Sequence, residues 1–407
     1  MGAIKLLKNA LLIDGGGDEP LKNGCVVLDG AQIIYSGKED HQVSQKYSDA
    51  EILDLNGMAL MPGLIDTHVH LSLHGSPHYF NEMIMESPTL AALKAVKKVR
   101  RIIESGFTTI RTMGDKGQLD IAVKTAIEQG DIIGPRIKAS GNCLKITGGH
   151  GDMFPNHVVI LGMARIVDGP VEARKAAREQ LKAGADNIKL MATGGGMSPG
   201  PPTVPQLTIA EMQAAVEEAD KYEKTPAAHA IGSEGIKNAL RAGVRTIEHG
   251  SFLDEEGIDL LLANDAFLIP TLAAFKTLKY GKEGGVPEYT IEKVRYFQTA
   301  HAKNLKKAMA AGVKIAVGTD AGTPFNYHGE SAYELECLVK NGYSAMQAIQ
   351  AATKVAAEAL MLEDVGTIEK GKIADLIVVN GNPLKNIKIL QDIKKIEMVF
   401  KEGKRIS

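Results

Sequence analysis

Four times in the middle of this chain an amphipathic helical pattern stops at a glycine just before a short apolar run: at Ser105-Gly106, Ala183-Gly184, Ala242-Gly243 and Ala311-Gly312. Glycine takes up the left-handed backbone that ends a helix, and the β-prone residues after it read as a strand. Parallel strands need helical crossovers of this kind, so the repeat predicts a parallel sheet covered by helices. Strands are expected at 108–111, 136–139, 187–190, 227–229, 246–249, 267–270 and 314–317, and the apolar run that ends in His68 makes eight. Eight strand and helix pairs over roughly 300 residues have the length and rhythm of an α/β (β/α)8 TIM barrel. A doubly wound open sheet is the alternative, but no Gly-x-Gly-x-x-Gly turn follows the first strand. In the stretch 208–219, Ile209, Met212, Val216 and Ala219 keep helical spacing with acids opposite, as a crossover helix should.

The two ends have another texture. Residues 1–58 hold short β-like runs (10–13, 25–28, 32–35 and 51–55) separated by Gly and Asp turns, and no helix is expected there. From Gly366 onward the chain turns β-like again, at 374–379 and 396–400. Neither end buries a hydrophobic face well alone, so the two are expected to pair into one small β-sandwich beside the barrel. The resulting division is 1–58 for the first sandwich part, 59–361 for the barrel and 362–407 for the second sandwich part.

Composition narrows the partners. A formal net charge of −2, with 24% charged and 44% hydrophobic residues, offers no general field for nucleic acid or for anionic lipid. The expected partner is a small-molecule substrate, with no nucleic acid and no membrane, in a homo-oligomer of the kind large barrels form. Cys25, Cys143 and Cys337 are too few and too scattered for a disulfide framework or a cysteine zinc site, which places the chain in a reducing compartment, the cytoplasm. The opening residues, interrupted by Lys5 and Lys8, read as a strand and not as a signal peptide. No apolar stretch reaches the roughly 18 to 20 residues that span a bilayer.

The chemistry gathers around Gly63-Leu64-Ile65-Asp66-Thr67-His68-Val69-His70. On a strand, side chains two apart leave the same face, so His68 and His70 can present both imidazoles to one point. His229, His249 and Asp320 each lie at or just after the C-terminal end of an expected strand, the face where barrel enzymes keep their reactive groups. Each has a plainer reading, as a capping or core residue, yet one rim would collect all of them. Lys189 lies inside the strand 187–190, where a barrel packs its interior and an unpaired ammonium costs several kcal/mol. It is either paired with a carboxylate or converted by CO2 into an anionic carbamate able to bridge two cations.

These motifs, with Ile188-Lys189, Ala228-His229-Ala230, Glu248-His249-Gly250, Gly318-Thr319-Asp320-Ala321-Gly322 and the closing Gly371-Lys372-Ile373-Ala374-Asp375-Leu376, resemble the amidohydrolase superfamily over nearly the whole chain. The branch is the imidazolonepropionase-like group that includes metal-dependent Xaa-Pro dipeptidases and carboxypeptidases. The resemblance implies a binuclear centre: His68, His70 and Asp320 on one divalent ion, His229 and His249 on the other, and carboxylated Lys189 with a hydroxide between them. Imidazole and carboxylate donors suit Zn2+, with manganese or cobalt as alternatives.

The implied reaction is amide hydrolysis, with Asp320 taking a proton from the attacking hydroxide and passing it to the leaving nitrogen. His150, in Thr147-Gly148-Gly149-His150-Gly151-Asp152, is expected either to polarise the scissile carbonyl or to brace its loop. The glycine-rich stretch 194–202 lacks a P-loop ending and is expected to shape the rim, with Met197 and Ser198 touching substrate. Ile231 stands where many dipeptide-cleaving relatives carry a polar or aromatic side chain, which tilts the pocket toward an apolar group. His41, His74, His78, His157, His301 and His328 are expected to be structural or solvent-facing. The expected substrate is a dipeptide or N-acyl amino acid; cyclic amides, lactones, carbamates and phosphotriesters are alternatives, and a mononuclear deaminase or a non-catalytic scaffold stands further off.

Overall fold

The computed structural model describes residues 4–152, 154–155, 157–158 and 162–407. In chain order its strands are β1 (Ile4–Leu12), β2 (Leu21–Asp29), β3 (Gln32–Lys38), β4 (Glu51–Asp54), β5 (Ala59–Pro62), β6 (Leu64–Val69), β7 (Phe107–Thr112), β8 (Arg136–Lys138), β9 (Cys143–Lys145), β10 (Ala164–Ile166), β11 (Asn187–Met191), β12 (Thr225–Ala230), β13 (Thr246–His249), β14 (Phe267–Ile269), β15 (Lys314–Ile315), β16 (Leu376–Val379), β17 (Ile396–Lys401) and β18 (Lys404–Arg405). The protein is a mixed α/β fold with parallel sheets. Strands β6, β7 and β8 form one parallel sheet, and β10, β9, β11, β12, β13, β14 and β15 form another in that order. Main-chain bonds also tie the end of β6 to the segment after β15: Thr67 N donates to Val317 O, and Asp320 N donates to His68 O.

The helices between strands form for the reasons their sequences suggest. Helix Ile209–Asp220 opens on a reciprocal cap, with Thr208 bonded to Glu211 N and Glu211 reaching back to Thr208 N. Helices Pro170–Ala183 and Glu288–Ala311 both end on a left-handed glycine, Gly184 at φ 107° and Gly312 at φ 83°. All eight expected strands are present. Two more, β9 and β10, join the larger sheet; at three residues each they carry too little periodicity to be read beforehand.

Both chain ends meet in a third sheet, with the order β18, β17, β16, β5, β1, β2, β3 and with β4 paired to β1. Its strands alternate faces. Leu60, Leu376 and Val378 join Leu7, Val26 and Phe400 in one cluster, while Ala59, Met61, Ile377 and Val379 pack into the large core shared with the α/β part. One expectation needs correction here: the first 58 residues do contain a helix, His41–Lys46, capped by Asp40. Strand β5 pairs with β1 and β16, and the chain leaves this sheet at Gly63.

Arg136, on β8, fastens the two parts: it donates to Asp375 at 2.6 Å, and Asp375, almost fully buried, also accepts Glu402 N at 2.8 Å. Removing one partner of a largely buried ion pair strands the other charge. The variant Asp375→Ala is expected to lose about 3 kcal/mol of stability in urea unfolding; a loss of under about 0.5 kcal/mol, the level of an ordinary surface substitution, would remove this pair from the account.

Candidate metal centre

The centre is assembled from four strands, β6, β11, β12 and β13, and the turn after a fifth, β15. His68 and His70 leave β6 on one face, and Asp320 comes back to them from the turn after β15. Asp66, fully buried, places that turn: its carboxylate accepts from Thr319 N at 3.0 Å, Thr319 Oγ1 at 2.6 Å and His68 N at 3.2 Å. Asp320 Oδ1 then lies 3.4 Å from His68 Nε2 and 3.2 Å from His70 Nε2, and each of the three residues has a ligand atom within 4.8 Å of the others'.

His229, at the end of β12, and His249, at the end of β13, complete the ring of imidazoles. Their centroids are 4.7 Å apart, and His249 is 5.3 Å from His68. Strand alternation alone would turn His249 away from the face that carries Glu248. It sits instead at φ 71°, and Asp320 at φ 60°, in the left-handed region that side chains rarely adopt. Such backbone persists where surrounding bonds over-determine it, and at functional sites above all.

Each imidazole has one nitrogen committed to a hydrogen bond. His68 Nδ1 faces Glu248 Oε2 at 2.7 Å, His70 Nδ1 faces Gly114 O at 2.8 Å, His229 Nε2 faces Gly194 O at 2.8 Å and His249 Nδ1 faces Thr271 Oγ1 at 2.7 Å. Ligating histidines characteristically donate their other N–H in this way, which fixes the tautomer and leaves one lone pair for a cation. Burial, with the neighbouring His150, His249 and Lys189, holds the His229 pKa well below its ordinary value, and burial does the same to His249, so both rings are neutral donors.

Burial favours a protonated Asp320, but hydrogen bonds and charge from His68 and His70 outweigh it and keep the carboxyl far below its ordinary range. Lys189 is 1% exposed, and its Nζ has no hydrogen-bond partner among the described residues. Burial pushes it down to about 8, against the attraction of Glu248. The carboxylate partner that would explain a buried ammonium is therefore not in contact. The donor set and this orphaned amine together fit a divalent-metal centre.

All six residues line one cavity of about 150 Å³, with His150, Met197, Ser198 and Ile231 also in its wall. His150 stacks on His229 with centroids 4.4 Å apart. Its Nδ1 lies 2.7 Å from Ser198 Oγ, which also accepts Gly151 N at 2.7 Å. The Ser198 hydroxyl, expected to touch substrate, is thus engaged in holding His150. Gly195 makes room for that ring, since a Cβ there would lie 2.3 Å from His150 Cε1. Met197 packs with the Tyr79 cluster, and Ile231 packs with Val294 and Phe297.

Three residues in or behind this site were not legible in the sequence. Glu248 and Arg111 form a buried ion pair at 2.8 Å behind His68. His301, expected to be structural or solvent-facing, is buried and lines the cavity. A Glu beside the His of Glu248-His249 was the available signal for the first; His301 lies mid-helix with no spacing to mark it.

Comparison with known proteins adds the following. Residues 59–406 match the model of the amidohydrolase family. The ochratoxinase of Aspergillus niger is 32% identical over 98% of this chain and 86% of that protein. A Xaa-Pro dipeptidase solved with methionine bound in its active site superposes with a TM-score of 0.90, at 35% identity and full coverage of both chains. A prolidase complexed with N-methylphosphonate-L-proline also gives a TM-score of 0.90, at 32% identity and full coverage.

Orienting partners of metal-binding histidines commonly tune affinity 10- to 100-fold. Glu248→Gln, which keeps the volume but exchanges an acceptor for a donor, is expected to weaken zinc retention by roughly that factor in a chelator competition. Unchanged retention would show that His68 needs no partner behind it.

Proposed function

The chain belongs to the amidohydrolase family, and on that premise we propose that it is a binuclear metal-dependent hydrolase of dipeptides or N-acyl amino acids, Xaa-Pro substrates among them. The observation that carries this reading is the ring of four imidazoles, each with one nitrogen tied back, beside a buried lysine without a hydrogen-bond partner among the described residues. In this reading the two parallel sheets are arcs of one closed (β/α)8 barrel, with a sandwich made from the chain ends beside it. The three free, buried cysteines support a cytoplasmic setting, and a homo-oligomer belongs to the same proposal.

His68, His70 and Asp320 would hold one divalent ion, and His229 and His249 a second. Lys189 would join them as a carbamate. Its pKa near 8 leaves a share of free amine at neutral pH, the form whose nitrogen bonds to CO2 with loss of a proton. Bound there, zinc ions supply Lewis acidity toward the amide carbonyl and acidify a water.

Asp320, kept as a carboxylate by His68 and His70, accepts the proton of the attacking water and delivers it to the leaving nitrogen. His150 is neutral, pushed down to about 3 by burial with help from Lys145 and Lys189. In the tautomer in which Ser198 Oγ accepts Gly151 N and donates to His150 Nδ1, Nε2 of that ring carries hydrogen and can donate to the carbonyl oxygen as charge develops there. Ile231, buried against Val294 and Phe297, supports an apolar group on the substrate.

The purified protein is expected to carry about two divalent ions per chain and to release amine from members of a dipeptide and N-acyl amino acid library, read by ninhydrin. One ion per chain with ammonia release would favour a deaminase, and turnover confined to lactones or phosphotriesters would move the reading to those esters. Asp320→Asn is expected to retain metal while losing at least about 100-fold in kcat; near-normal kcat would take Asp320 out of the proton path.

A further inference from the structure

The wall of the cavity away from the strand ends is one face of helix Glu288–Ala311. Thr290, Val294, Phe297 and His301 recur at spacings of four, three and four, which places them in a single stripe, and all four line the cavity. Phe275 completes this wall. Its ring lies edge-on to His301 with centroids 5.1 Å apart and 6.4 Å from Phe297. The cavity of about 150 Å³ has the candidate metal centre on one side and this largely apolar wall on the other, and its volume is of the size that takes a benzene ring.

Two buried polar atoms without a hydrogen-bond partner among the described residues interrupt that surface, Thr290 Oγ1 at one end of the stripe and His301 Nε2 at the other, and the second is the one flanked by Phe275. His301 is 2% exposed; its Nδ1 lies 2.9 Å from Ser251 Oγ, and its Nε2 has no hydrogen-bond partner among the described residues. Burial pushes the ring down to about 4, so it stays neutral at working pH and offers no counter-charge to an anion. A neutral imidazole with Nδ1 engaged has a single remaining hydrogen-bonding position. Whether it donates or accepts depends on how Ser251 orients, and a hydroxyl can answer either state. Buried polar atoms are normally satisfied, so a group that brings a partner into this wall is favoured over one that does not.

We propose that the cavity selects substrates whose aromatic ring bears one hydroxyl, a phenol-type side chain, with that hydroxyl pairing to His301 Nε2. The proposal rests on the amide-hydrolase reading for the bond that is cut, but the ring pocket and its polar atom stand on their own geometry. Sites built around a hydrogen bond discriminate strongly against analogues that lack the partner. His301 acts here as a specificity residue and takes no part in the proton transfers assigned to Asp320.

The test compares matched pairs, N-acetyltyrosine with N-acetylphenylalanine and Tyr-Pro with Phe-Pro, on the metal-loaded protein. The hydroxylated member is expected to have a kcat/KM at least about 10-fold higher. In His301→Leu, which keeps the wall apolar, that ratio should fall to about one. A second readout needs no turnover: p-cresol should raise the Tm of the metal-free wild-type protein more than toluene does, and His301→Leu should remove the difference. Equal kcat/KM within each wild-type pair, or a ratio that survives in His301→Leu, overturns the proposal and leaves solvent as the partner of Nε2. Failure to hydrolyse any amide overturns the reading of the reaction instead, and the p-cresol and toluene comparison then decides the ring pocket alone. If His301→Leu does not fold, the wild-type ratios and the wild-type Tm comparison still decide it.

Discussion

A buried ion pair between Arg111 and Glu248 anchors the whole centre. Neither side chain touches solvent, and the guanidinium reaches across three strands, donating to Thr67 O at 2.7 Å, Thr246 Oγ1 at 3.0 Å and Glu248 Oε1 at 2.8 Å. Burying two charges is costly unless every donor and acceptor is met, and here the second carboxylate oxygen of Glu248 is met by His68. Burial alone would raise the Glu248 pKa; Arg111 and then His68 reverse this and keep the group ionised. A fixed negative charge behind His68 in turn makes its free nitrogen a better donor to a cation. Strands β6, β7 and β13 thus share one electrostatic fastening, and the imidazoles inherit their positions from it.

Much of this could be read from residues in order, because the information was local. The glycine stops before 107, 187, 246 and 314 set the βα rhythm, and a period of two put His68 and His70 on one face. Lys189 stood out because an ammonium in a buried strand conflicts with its surroundings. What was hidden was long-range. The Arg111 and Glu248 pair joins residues 137 apart in the chain, and neither is unusual in its own segment. His301 looked ordinary because a histidine on an amphipathic helix is more often core than site. Only the packing of that helix over the strand ends shows its face to be a cavity wall. The short strands β9 and β10 escaped for a different reason: three residues do not establish a period.

The centre also shows how strand geometry is overruled where chemistry requires it. His249, Thr271 and Asp320 all lie in the left-handed region, at φ 71°, 50° and 60°. Left to alternation, His249 would share no face with Glu248. The positive φ swings its ring back beside His68 and His229, and Thr271 catches the outer nitrogen. Strain of this kind costs of order 1 to 3 kcal/mol per residue and is held only because the neighbouring bonds leave no alternative. A cation bound among the rings would be gained in the same geometry, so folding and metal affinity are coupled.

The sheet shared by the two chain ends carries a consequence for biogenesis. Strand β5 leads through Gly63 directly into the histidine-bearing β6, yet its neighbour β16 lies more than 300 residues later and closes on it only after all the crossovers between them have been made. During synthesis the N-terminal strands therefore wait with one edge uncovered while the crossovers assemble in sequence. Exposed edges invite mispairing, and sheets with such sequence-distant partners form slowly. The open β-edge of the early strands stays exposed for as long as the intervening strands and helices take to emerge, and a chaperone able to shield it would act in that interval.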